Sequence, residues 1–192
     1  MSEAFDKAID HAMLYEVGGF WKLTPEVEQG LCDTPARKRA TGYVNDPLDA
    51  GGETKFGVAK NANPDLNIKT LTWDQAKDVY YRRYWLASKC DKLNGRYAAL
   101  HFDIAVNHGV TRAAIFLQRA LGVVDDGIIG PITLGKAEEA EVFDLCNNVC
   151  DQRKRYYEDI IRNKPSQEKY RNGWMRRCEE LRNFVTNPDN SF

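Results

Sequence analysis

Between Tyr97 and His108 the chain is apolar nearly all round a helix, with Ala98, Ala99, Leu100, Phe102, Ile104, Ala105 and Val106 covering its faces. A helix without a polar face has to be buried on every side. The rest of the chain must therefore supply the elements that enclose it. Asp103 and Asn107, four residues apart, are its polar exceptions, and Gly109 ends it. With 192 residues, 43% of them hydrophobic, the chain suits one domain or two small lobes sharing a core.

Amphipathic stripes on both sides provide the enclosure. Phe5, Ala8, Ile9, Ala12 and Met13 recur at helical spacing after a candidate cap at Ser2. Thr72-Trp73-Asp74-Gln75 has the pattern of a capping box and opens a helix to about Trp85, with Ala76, Val79, Tyr80 and Tyr84 inward. Thr111 caps a helix that reaches Leu121. Asp126-Gly127-Ile128-Ile129-Gly130-Pro131 is a tight turn into another, read as structural before it is a glycan contact. Val142 to Ile161 and Trp174 to Val185 mark the last two, and residues 187–192 read as a loose tail. One region differs: Thr54, Phe56 and Val58 alternate with Lys55 and Gly57, as a short half-buried strand would, after turn signals at Asn45-Asp46-Pro47 and Gly51-Gly52. The fold class is mainly helical with one small β-hairpin, two helical lobes flanking an active cleft.

Composition removes several functions. A formal net charge of -1 gives no whole-molecule attraction to nucleic acid. No apolar run reaches the roughly 20 residues of a membrane span, and the N-terminus shows no signal peptide. Five cysteines without paired short spacings fit a reducing compartment, and Cys146 with Cys150 reads as buried free thiols. His11, His101 and His108 lack metal-site spacing, so neither metal nor cofactor is expected. No GxSxG elbow or phosphate-cradling loop is present.

Carboxylates are what is left. Glu16 follows Ala12 by four and Ile9 by seven, so it continues the buried stripe, and Gly18-Gly19 places it in the last helical turn. Burial and the negative end of the helix both disfavour its anion, as a general acid requires. A helix-end glutamate turned to water satisfies the periodicity equally well. Asp49 and Glu53 lie on the Gly-rich turn and strand nearby, and Thr54 carries a hydroxyl that could hold a water. Such a set suits glycoside hydrolysis.

The Glu-x-Gly-Gly of Glu16 to Gly19, Tyr43-Val44-Asn45-Asp46-Pro47 and Asp49 to Gly57 together resemble glycoside hydrolase family 108, a group of phage endolysins and bacterial muramidases with a lysozyme-like fold. Phe102 to Gly109 resembles that family's central helix. Leu117 to Gly122 and Asp126 to Pro131 resemble the predicted peptidoglycan-binding region that follows it. The resemblance implies a catalytic lobe over 1–100, with an insertion at 20–41 and a hairpin at 42–58, and a binding lobe over 101–186. It implies Glu16 as catalytic acid with Asp49 and Thr54 in the other two roles, Glu53 being the competitor for the second acid. Tyr43, Glu53 and Asn107 are the expected substrate-binding residues.

Two features depart from the family pattern: Val17 is extra before the glycines, and residues 20–41 intervene before Tyr43. That insertion reads as a rim or lid whose Arg37, Lys38 and Arg39 face the wall. The implied activity is cleavage of the β-1,4 bond between N-acetylmuramic acid and N-acetylglucosamine. The alternatives are a lytic transglycosylase, a chitinase-like enzyme or a non-catalytic wall-binding or virion protein. Bacterial peptidoglycan is the expected partner, with no nucleic acid, no stable membrane association and a monomeric state. Without a signal peptide, the protein is expected to be made in the host cytoplasm and to reach the wall through a holin or another delivery route.

Overall fold

Ser2 starts the first helix, α1 (Glu3–Glu16), by accepting the Phe5 amide hydrogen at 3.3 Å on its hydroxyl. Phe5, Ala8, Ile9, Ala12 and Met13 are buried, as the stripe requires. The helix ends where Gly18 and Gly19 turn left-handed (φ 72° and 80°), with the Gly19 amide donating to Leu14 O at 2.6 Å and the Gly18 amide to Tyr15 O at 3.4 Å. This is the Schellman pattern, which satisfies the last carbonyls of a helix. The computed structural model describes residues 1–19, 21–46 and 51–192. It falls into two compact units, Ile9–Arg83 and a second made of Met1–Ala8 with Tyr84–Phe192.

In the first unit two short helices fill the segment expected to be a rim. Thr24 caps α2 (Pro25–Glu28) and Thr34 caps α3 (Pro35–Thr41), each with proline in the first turn. Thr34-Pro35 repeats the Thr24-Pro25 signal, a cap followed by proline. The segment is packed rather than loose: Val27 and Thr41 are buried, and the Trp21 ring lies 4.5 Å from Trp73. Of the basic trio, Arg37 pairs with Asp33 at 2.9 Å and Lys38 lies over the Tyr43 ring.

The hairpin is shorter than the alternation suggests. β1 (Thr54–Lys55) pairs antiparallel with β2 (Val58–Ala59), Thr54 opposite Ala59 and Lys55 opposite Val58. Phe56 and Gly57 form the turn, both with positive φ (52° and 72°), the geometry a two-residue hairpin needs. Phe56 therefore belongs to the turn, and Lys55, expected outward, is fully buried with its ammonium donating to Lys69 O at 2.7 Å. The capping box at Thr72 and Gln75 opens α4 (Trp73–Tyr80) as read. A π-helical turn over Tyr81–Leu86 then shifts the phase, so that Trp85 rather than Tyr84 is buried.

The second unit surrounds α5 (Gly95–His108), whose residues Tyr97 to Ala105 are all buried. Around it stand α6 (Val110–Leu121), α7 (Pro131–Glu139), α8 (Val142–Asn163) and α9 (Arg171–Thr186). The residue before α6 is Gly109, so Thr111 lies inside the helix rather than capping it. The Asp126-Gly127 turn is anchored by buried Gln118, which donates to Asp126 Oδ1 at 2.7 Å and accepts the Gly127 amide hydrogen at 2.8 Å. The expected loose tail is tied down: the Arg96 guanidinium donates to the carbonyls of Val185, Asn187 and Asn190 at 2.9, 2.7 and 2.6 Å.

Candidate active site

Glu16 is the last residue of α1, half-buried, and its side chain lies against the hairpin turn. A β-carbon built on Gly57 would stand 3.4 Å from both Cβ and Oε2 of Glu16, and would run into the Tyr80 hydroxyl. Glycine is thus required at this position twice over, for its φ and for its lack of a side chain. Tyr80, read from the sequence only as an inward residue, fixes the turn by donating to Phe56 O at 2.9 Å. Phe56 is held from its other side by Trp73 and Trp21, with ring centroids at 5.5 and 6.3 Å. A carboxyl at a helix end is thereby presented beside an exposed stretch of backbone, on a turn locked by aromatic packing.

Of the other predicted residues, Thr54 sits on β1 three positions before Gly57. Its amide and carbonyl bridge to Val44 at 2.8 and 2.9 Å, and its hydroxyl is 3.4 Å from Gly52 O. Tyr43 and Glu53 are brought together, the phenol donating to Glu53 Oε1 at 2.6 Å. That bond, then burial and the Glu53 charge, push the Tyr43 hydroxyl up to about 12. Glu53 is thereby engaged as an acceptor, which weakens it as a rival for the second acidic role. Asp49 lies outside the described residues. No group of three His, Cys, Asp or Glu among the described residues could hold a metal ion.

Asn107 belongs to the other unit, at the end of α5, where it joins an ionic network that the sequence showed only in part. Arg153, fully buried, donates to Asp103 Oδ1 at 2.9 Å, to His108 Nε2 at 3.1 Å and to Asn107 Oδ1 at 3.1 Å. Arg177 donates to Asp103 Oδ2 at 2.9 Å, and the Tyr157 hydroxyl to Asn107 Oδ1 at 2.7 Å. Because Arg153 can only donate, His108 Nε2 must be an acceptor and the ring neutral. Burial, then the Arg153 charge, accordingly push His108 down to about 3. The missed signal was spacing: Arg153 follows Cys146, Val149 and Cys150 at positions where α8 buries its side chains. In the same unit, a cavity of about 710 Å³ between Asp91, Asn94, Tyr97, Leu134, Glu138 and Leu145 is lined by none of the predicted site residues.

Comparison with known proteins divides the chain at another place, and Glu16 precedes both matched regions. Residues 37–109 match the glycosyl hydrolase 108 family, and residues 112–179 match a predicted peptidoglycan domain. The buried network crosses the boundary, Asp103 and Asn107 coming from the first match and Arg153, Tyr157 and Arg177 from the second. No curated protein matches the chain. Among solved structures, that of Brucella abortus SagA is similar with a TM-score of 0.62 at 27% identity, over 74% of this chain and 84% of that one. The mainly helical, lysozyme-like architecture is shared with it.

Proposed function

Because the chain is a glycoside hydrolase acting on peptidoglycan, its glycosyl hydrolase 108 region running into a predicted peptidoglycan domain, we propose that it is an N-acetylmuramidase with Glu16 as its general acid. The observation that carries this reading is the seat of Glu16 against Gly57. A carboxyl at a helix end, beside a turn glycine that carries no side chain, can approach a sugar oxygen without displacing protein. In this reaction Glu16 protonates the oxygen between N-acetylmuramic acid and N-acetylglucosamine, while Asp49 and the Thr54 hydroxyl orient the attacking water. Tyr43 and Glu53, bonded to each other, serve as a polar contact for the glycan. The enzyme acts as a monomeric endolysin, reaching the wall through a holin or another delivery route; lysis from within should then require a co-expressed holin.

The Tyr43–Glu53 bond also favours a second reading. With Glu53 engaged, a single glutamate suffices for a lytic transglycosylase, in which the muramyl 6-hydroxyl replaces water. Mass spectrometry of digested walls separates the two. New reducing muramic ends support the hydrolase, 1,6-anhydro ends support the transglycosylase, and unchanged walls refute both. Asp49→Asn and Glu53→Gln, assayed side by side, test the second acid: the first should abolish hydrolysis and the second should mainly weaken binding.

A further inference from the structure

The cavity of about 710 Å³ in the second unit is walled on one side by α7, a helix that packs on little else: of Pro131 to Glu139 only Thr133 is buried. Both ends of this helix are tied. Buried Gln118 donates to Ile128 O at 3.0 Å and to Thr133 Oγ1 at 3.5 Å, which fixes the start of α7. At its other end Ala140 alone separates it from Glu141, the cap of α8. Across the cavity lie Tyr97 and Leu145, both buried. So held, α7 stands away from them, and the space between is part of the fold.

Gly135 keeps that space open. It sits in the middle of α7, where glycine is less stable than alanine. Its φ is not left-handed, and a β-carbon built on it would meet nothing within 4 Å. Neither backbone geometry nor close packing calls for glycine here; the missing side chain leaves room in the cavity wall. The charges on the wall are Asp91, Lys92 and Glu138. Lys92 pairs with Asp91 at 3.3 Å, whereas Glu138 has no ion-pair partner among the described residues, its neighbour Glu139 having taken Lys136. Asn94, also on the wall, caps α5 by accepting the Arg96 amide hydrogen on Oδ1 at 3.1 Å. Its oxygen is thus committed to the helix, and its NH2 remains to donate.

An apolar cavity of this size with a few converging polar groups has the form of a small-ligand site. Its walls fit a ligand with small apolar side chains, an ammonium for the uncompensated carboxylate and a carbonyl or carboxylate for the donors. The N-acetylated glycan chain has no ammonium, whereas its stem peptide joins alanine methyls and carboxylates to the amino group of a diamino acid. We infer that this cavity binds the stem peptide of peptidoglycan, with the diamino-acid ammonium at Glu138 and a neighbouring carbonyl or carboxylate at Asn94 and Lys92. This rests on the peptidoglycan reading above, but not on Glu16.

The test follows the backbone amides of Gly135 and Asn94 in the ¹⁵N-labelled full chain during titration with three probes. These are a stem tetrapeptide with a free diamino-acid ammonium, the same peptide acetylated on that nitrogen, and the peptide-free disaccharide of N-acetylglucosamine and N-acetylmuramic acid. Saturating shifts are expected with the first, binding about tenfold weaker with the second, as for one lost charge-assisted hydrogen bond, and no shift with the disaccharide. Glu138→Gln, at an exposed position, should weaken the free peptide by about the same factor and leave the acetylated one unchanged. Gly135→Leu fills the cavity, so it should melt at or above the wild-type temperature and abolish the shift at Asn94. Amides silent to the free peptide, shifts with the disaccharide alone, or wild-type affinity in Glu138→Gln each overturn the inference, whether or not Gly135→Leu folds. A folded Gly135→Leu protein that still binds the peptide overturns it too. Walls left uncut by the wild type would instead refute the hydrolase reading, while shifts at Gly135 and Asn94 would still register binding.

Discussion

Glu16 and Asp103 each interrupt an apolar helix stripe, but the chain treats the two acids in opposite ways. Asp103 lies in mid-helix, 1% exposed, with Arg153 on one oxygen and Arg177 on the other. Glu16 ends its helix, half-buried, beside a turn glycine that has no side chain. A carboxylate fixed between two guanidiniums has both oxygens occupied, so it organises structure. A carboxyl at a helix end, beside exposed backbone, is placed where a substrate can reach it. The comparison assigns stability to the first region, and the proposed chemistry needs the access that the second has.

The largest stability effect should come from breaking the first region. Asp103→Asn removes the carboxylate that Arg153 and Arg177 share and should cost about 3–5 kcal/mol in denaturant unfolding, as removal of one partner from a buried ion pair does. A loss below about 1 kcal/mol would mean that groups other than Asp103 compensate the arginines. Gly57→Ala comes next, because the new β-carbon meets the Tyr80 hydroxyl and the left-handed φ of 72° disfavours any side chain. About 1–2 kcal/mol of strain is expected, with a fall in activity larger than the fall in stability explains. Gly130→Ala, at a position where a β-carbon meets nothing within 4 Å, is the control and should change neither.

Acid should act on the second unit through its histidines. Burial pushes His101 down to about 4 and His108 to about 3, both below the ordinary value of 6.5. Between those limits the unfolded chain binds more protons than the folded one, so stability rises with pH. It should be fully present above about pH 6.5 and decline as pH falls toward 4, by at most roughly 1.4 kcal/mol per pH unit for each histidine. Melting curves from pH 7.5 to 4.5 check this, and His108→Gln should flatten the decline. An unchanged slope in that variant would remove His108 from the account.

Much of this was legible in the sequence because it depends on periodicity and on local caps. The all-apolar turns of α5, the stripe leading to Glu16, the Thr72–Gln75 box and the glycines after Glu16 each act within a few residues of their own signal. What was not legible depends on partners far along the chain. Lys55 looked like the polar face of a strand, yet the left-handed Phe56–Gly57 turn ends the strand early and burial takes the lysine to the Lys69 carbonyl. Arg153 looked like one more charge on α8 until Asp103, fifty residues earlier, gave it a reason to be inside. The tail looked loose because its anchor, Arg96, is about ninety residues away. Tyr80 read as ordinary core because its hydroxyl partner is a backbone carbonyl, which no side-chain pattern reveals.

The central claim is that Glu16 supplies the proton, and one measurement tests it most directly: clearance of purified cell walls by Glu16→Gln beside the wild type, with melting temperatures taken on the same samples. The substitution keeps the shape of the side chain against Gly57 and removes only the acid. The account predicts an unchanged melting temperature and a rate lower by at least about 10²-fold, the lower end of what general-acid catalysis contributes. A folded Glu16→Gln protein that clears walls at close to the wild-type rate would contradict it.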